Sequence, residues 1–115
     1  MKRVRSPRRG ALRNLAKVAR IKSELELARL GMLTEQKQNT RGLIAGVRAK
    51  LTSARSETDL SFLLLGAAAA ERWGEAKLRD LAETDANIAS EIEKQRIIAR
   101  NAYGKAFVIE KMLKS

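Results

Sequence analysis

The chain contains no cysteine and no histidine. Disulfides, thiolate nucleophiles, imidazole acid–base chemistry and nearly every transition-metal site are thereby excluded. Paired carboxylates are the catalytic option that remains, but Glu and Asp alternate here with Lys and Arg in the manner of solvated helix faces. Such pairs also need a concave pocket, which a thin helical protein lacks. The chain reads as a non-enzyme, with no catalytic residue, metal site or cofactor expected.

Proline occurs once, at Pro7, so nothing after it forbids helix by lacking a backbone donor. Only four of the 115 residues are aromatic, which allows a long seam but not a thick globular core. β-Branched runs are few and turn dipeptides such as Asn-Gly are missing, so no strand is expected. The longest apolar stretch, 62–70, is nine residues including Gly66, whereas a membrane span needs about 20. The basic start lacks the apolar segment of a secretory signal, although an organellar transit peptide can be similarly Arg-rich and acid-free.

Acidic residues are absent before Glu24. Nine cations, Lys2 to Lys22, precede it and carry most of the net charge of +11. The basicity is therefore local.

What the chain does possess is a heptad stripe. Leu60, Leu64, Ala67, Glu71, Gly74, Leu78, Leu81, Asp85, Ile88, Ile92, Gln95, Ala99, Ala102, Ala106, Ile109 and Leu113 follow one another in steps of four and three. That spacing keeps one face of a helix against a partner helix. Glu71, Asp85 and Gln95 are read as seam members that set register rather than as a site.

The first half supplies the nearest partner, with less regular spacing. Val18, Ile21, Leu25, Ala28 and Met32 keep one register, and Leu30, Leu33, Ile44, Val47, Leu51 and Ala54 keep another. Steps of four through Gln36 and Thr40 join them, a local relaxation of the seven-residue period. One helix is expected, with a break at 39–42 as the alternative.

A reversal fits best at 56–59. Lys50 and Arg55 suit a helix C-terminus, Ser56 or Thr58 can cap a new helix, and Glu57 and Asp59 suit its first turn. The expected fold is all-α: an antiparallel two-helix coiled-coil hairpin with a disordered basic N-terminal tail. Its parts are a flexible tail over 1–10 and a hairpin over 11–115, with helices at about 11–55 and 60–113. An unbroken helix pairing between chains is the alternative, and a homodimer is compatible with either.

This turn sets Leu51 opposite Leu64, Val47 opposite Ala67 and Glu26 near Ile88. It also brings Gly42 and Gly46 level with Trp73 and Ala69 or Ala70, as a notch for close approach or for an indole edge. Ala106, Phe107, Ile109, Met112 and Leu113 then lie opposite the basic tail without apolar partners, and Gln95, Ala99, Ala102 and Ala106 make a thin seam. An apolar stripe beside a basic cluster is a docking surface in waiting. Its candidate residues are Leu12, Leu15, Val18, Phe107, Ile109 and Leu113. A second patch off the seam, Phe62, Leu65 and Trp73, either wraps the tip or docks another protein. Arg3, Arg5, Arg8, Arg9 and Arg13 are the candidate electrostatic contacts. They suit an acidic protein surface, anionic lipid, or non-specific nucleic acid gripped through residues 2–22, and they also serve simple solubility. No aromatic is interleaved among them, and no nucleic-acid-binding motif is present.

The pattern resembles the FliJ-type components of flagellar and related type III protein export. The residues that carry the likeness are Leu12, Leu15 and Val18 with Arg20; Ala70, Glu71, Arg72, Trp73 and Gly74; Leu78 with Asp80 and Leu81; and the charged close from Arg96 to Leu113. The resemblance implies a stalk-like protein, cytoplasmic or peripheral at the inner face of the cell membrane. Its termini-bearing end would enter a hexameric export ATPase, and its other surfaces would meet export-gate or chaperone proteins.

Overall fold

In a computed structural model the chain forms two long helices packed against each other, α1 over Lys2–Arg55 and α2 over Ala67–Lys114. Backbone is described for residues 2–55 and 66–115, and side chains for all of these except 2–7, 55 and 67. The expected turn at 56–59, its capping residues, and Leu60, Phe62, Leu64 and Leu65 lie outside the described residues. Among those described there is no strand, as expected.

The helices contact each other in two units, Met1–Leu33 with Glu91–Ser115 and Thr34–Ser90. Each unit is an antiparallel helix pair. In the first, Arg20 meets Glu110 and Glu26 meets Gln95; in the second, Arg41 meets Asp85 and Leu51 meets Gly74.

On α2 the heptad stripe is the buried face. Every member described, from Glu71 to Leu113, is buried or half-buried. On α1 the expected change of register is absent. Leu12, Ala16, Ala19, Ser23, Glu26, Leu30, Leu33, Lys37, Thr40, Ile44, Val47, Leu51 and Ala54 are buried or half-buried in unbroken steps of four and three. Helix runs through 39–42 without interruption. Val18, Ile21, Leu25, Ala28 and Met32, expected in the seam, are exposed. Keeping one period along the helix buries Ala, Ser and Glu here and leaves the larger side chains outside.

The units differ in how they fill their seams. In the second unit Ile44, Val47, Leu51, Leu78, Leu81 and Ile88 point inward, and Leu43 and Trp73 are its exposed large apolar residues among those described. In the first unit much of the seam is alanine: Ala16, Ala99, Ala102 and Ala106 are all buried. Ile92 is buried there and Leu12, Leu30, Leu33, Ile109 and Leu113 are half-buried, but other large apolar residues of the unit, among them Leu15, Leu25, Ile98 and Phe107, are about half exposed or more.

Register also departs from expectation. Leu51 packs on Gly74, and Glu26 bonds to Gln95 rather than lying near Ile88. These partners lie about two to three helical turns further along α2. Two local fits account for the choice. A Cβ on Gly74 would come within 2.6 Å of Leu51 Cγ, so glycine alone leaves room for this leucine. A buried carboxylate needs hydrogen-bond donors, and Gln95 provides one to Glu26 where Ile88 could not.

The glycine notch is corrected with the register. Gly42 and Gly46 are exposed, and a Cβ on either would meet nothing within 4 Å. Trp73 instead lies beneath Lys50, whose Nζ is 5.9 Å from the ring centroid. Gly42→Ala and Gly46→Ala should each raise stability by about 0.5–1 kcal/mol, from helix propensity alone. Thermal unfolding followed by circular dichroism would show the gain.

The terminal unit is bounded by its own bonds. Arg8 to Gly10, expected in the free tail, belong to α1, and Arg9 Nη1 donates to the Leu113 carbonyl at 3.1 Å. The Ser115 hydroxyl donates to the Met112 carbonyl at 3.1 Å, and Lys111 and Lys114 suit the negative end of the helix dipole.

Candidate functional site

The first unit carries the features that ask for a partner. Among the described residues, most of the exposed large apolar side chains belong to it. Their placement follows from the heptad. With Leu12, Ala16, Ala19 and Ser23 facing α2, the residues Leu15, Val18, Lys22, Leu25, Arg29 and Met32 recur in steps of three and four and must lie together on one flank of α1. Ile98, Lys105 and Met112, seven residues apart, occupy one line on α2.

These two lines meet. Leu15, Val18, Ala19 and Lys22 of α1 and Ala102, Lys105 and Ile109 of α2 line a single groove. Its floor is the thin alanine seam, its walls are aliphatic, and its charged members are lysines. A second depression beside it is lined by Arg8, Arg9, Ala11, Leu12 and Leu15. Leu15 is common to both.

The opposite flank is closed. Arg20 Nη2 donates to Glu110 Oε1 at 2.6 Å, and Arg20 Nε to the same oxygen at 3.2 Å. The hydrogen bond and the charge of Arg20 hold the Glu110 carboxyl below its ordinary range, and Glu110 raises Arg20 in turn. Because the carboxyl is lowered in the folded state, the contribution of the pair is complete above the unfolded pKa of about 4.3 and is lost as pH falls through the lowered value. Glu110→Gln should therefore remove stability at neutral pH and none in strong acid. Unfolding curves of the two proteins from neutral pH downward would converge.

At the far end of this unit Glu26 is the most deeply buried ionisable side chain described, 3% exposed. Gln95 Nε2 donates to Glu26 Oε2 at 2.6 Å and to the Glu26 carbonyl at 2.9 Å, and Arg29 Nη1 donates to Glu26 Oε1 at 2.7 Å. All three contacts are internal and structural. Asp85 differs: its Oδ1 is buried with no hydrogen bond, and Arg41 Nε lies 3.9 Å away. Among the described residues no cluster of three acidic side chains is placed to hold a metal ion, and no helix is long and apolar enough to cross a membrane.

The expected docking residues thus fall into three groups. Leu15, Val18 and Ile109 share the groove, and Leu12 lies in the adjoining depression with Arg8 and Arg9. Leu113 is half-buried, its carbonyl taken by Arg9. Phe107 is 53% exposed but lines neither hollow; its ring lies under Lys111, 5.6 Å from Nζ. Arg13 is exposed. The side chains of Arg3 and Arg5, and residues Phe62 and Leu65, lie outside the description, while Trp73 is 47% exposed in the second unit. The bare end is also revised: Ala106 is buried and Ile109 half-buried, because α1 reaches far enough to cover them. Ala19, Lys22, Ala102 and Lys105 are the groove residues that sequence reasoning missed. Extending the firm stripe of Leu30 and Leu33 backward in steps of four and three would have placed Ala19 in the seam and Lys22 on its flank.

No family model, curated protein or solved structure matches this chain.

Proposed function

We propose that this chain is a non-enzymatic docking protein whose termini-bearing unit is gripped by a partner protein. One observation supports this above all: Ala16, Ala99, Ala102 and Ala106 are buried in the seam of that unit while Leu15, Val18, Leu25, Ile98 and Met112 stand outside it. A helix pair that acted alone would gain more by the reverse arrangement, since a buried large aliphatic side chain contributes about 1.5–3 kcal/mol. The small seam draws the helices together, and the outer apolar residues are left for another molecule.

The resemblance to FliJ-type proteins gives that molecule a class. On this reading the partner is a hexameric export ATPase, and the chain serves flagellar or type III export as a stalk or chaperone-escort adaptor at the cytoplasmic face. Its cations at Arg8, Arg9 and Arg13 would steer the encounter. Leu15→Ser together with Ile109→Ser should weaken binding to the ATPase ring by about 100-fold or more, with helical circular dichroism retained. Sedimentation with the purified ring reads this, and undiminished binding of the double variant would refute the surface.

Nucleic-acid binding through residues 2–22 is the rival. The exposure of Arg8, Arg13 and Lys17 favours it, but it leaves the apolar flank unused. Its signature is an affinity for duplex DNA that falls by orders of magnitude between low and moderate salt.

A further inference from the structure

We infer that the groove between Leu15, Val18 and Lys22 of α1 and Lys105 of α2 is the seat of a single acidic amphipathic helix from a partner protein, which completes a local three-helix bundle. The inference rests on the docking reading above and adds the chemistry of what docks.

The shape of the site selects a helix. Two antiparallel helices leave a straight furrow along each flank, and the apolar positions bordering this one repeat every three or four residues. From Leu15 to Met32 the border runs about 25 Å, the length of a helix of about 17 residues. A third helix laid there would cover Leu15, Val18, Leu25 and Ile98, which are otherwise 45–62% exposed. Helices have no sheet edge to offer, so an extended peptide would leave its own backbone groups unpaired along this wall.

The charge of the site selects an acid. Lys22 and Lys105 line the groove from opposite helices, and among the described residues neither is in an ion pair. Arg8 lies at the next hollow along the same line. The single acid on this flank of the unit, Glu91, is 3.7 Å from Lys94 on its own helix. A helix with an apolar stripe and carboxylates on both sides of it would satisfy both lysines at once. A second copy of this chain would bring lysine against lysine. On the opposite flank Arg20 bonds Glu110 across the seam and bridges the two helices there.

The test uses the full chain and a fluorescein-labelled synthetic helix of about 17 residues, with leucines at three- and four-residue spacing and glutamates beside them. A counterpart carries lysines in place of the glutamates. The acidic peptide should bind saturably and the basic one about tenfold or more weakly, with the preference reversed by Lys22→Glu with Lys105→Glu. Both lysines line an open groove, so the doubly reversed protein should keep its circular dichroism; Leu15→Ser provides a second, charge-neutral variant that should weaken both peptides alike. Equal affinity for the two peptides, or indifference to charge reversal, would overturn the inference. So would binding to phosphatidylglycerol-containing vesicles without binding to the peptide, which would make the flank a lipid-facing one, or self-association abolished by Leu15→Ser, which would make it a dimer face. The outcome is separable from the export reading. Loss of ring binding in the Leu15 and Ile109 variant with no peptide preference would remove the acidic helix alone, whereas peptide binding without any affinity for the ATPase ring would remove the ATPase alone.

Discussion

Gln95→Leu should destabilise the protein by about 2–3 kcal/mol, although it exchanges a polar seam residue for an apolar one. The reason is what it strands. Glu26 is almost fully buried and its Oε2 and carbonyl both accept from Gln95, so the substitution leaves a buried carboxylate with Arg29 alone. The double variant Glu26→Leu with Gln95→Leu should recover that loss or exceed the parent, because two apolar side chains then meet in the seam. What it should lose is uniqueness of alignment. The absence of cysteine makes this measurable: spin labels on cysteines introduced at Lys22 and Lys105, which share a groove, should give one narrow distance in the parent and a broader distribution in the double variant. Denaturant unfolding gives the energies. If Gln95→Leu were neutral, the pair would not hold the register.

Leu51 and Gly74 should show the second large effect, as a strongly non-additive pair. Leu51 is 5% exposed and fills the space that Gly74 leaves. Leu51→Ala should cost about 2–4 kcal/mol by opening a cavity beside the glycine. Gly74→Ala should cost about 1–2 kcal/mol, because the new methyl displaces Leu51 from its rotamer and helix propensity offsets only part of the strain. In the Leu51→Ala background the same methyl enters empty space, so Gly74→Ala should there become stabilising. A double-mutant cycle by urea unfolding should return a coupling above about 1 kcal/mol. Additive losses would mean the two residues do not touch.

The second helix was almost fully legible. Its stripe contains enough leucine and isoleucine to fix the period, and Gln95 and Asp85 fall in step with it. The first helix was legible only where its apolar residues are large. From Leu30 to Ala54 the stripe matches the structure, but between Leu12 and Glu26 the bulky residues Val18, Ile21 and Leu25 outweigh Ala16, Ala19 and Ser23 in any reckoning by hydrophobicity. They mark the exposed flank, not the seam. The same misplacement hid the groove, since Lys22 and Lys105 look like ordinary solvated charges until Leu15 and Ile109 are seen beside them.

By itself, then, the sequence determined that the chain is helical, that its helices pair through a seven-residue period, and which face of α2 turns inward. Burial follows period, and period is written in one strand of text. Only the tertiary structure decided alignment and, through it, the site. Sliding one helix past the other by whole heptads leaves every pattern of apolar and polar residues intact, so the choice among alignments falls to individual fits across the seam: Leu51 into the space at Gly74, and Glu26 onto Gln95. Those fits place Lys22 across from Lys105 and turn an exposed stripe into a groove with a sign.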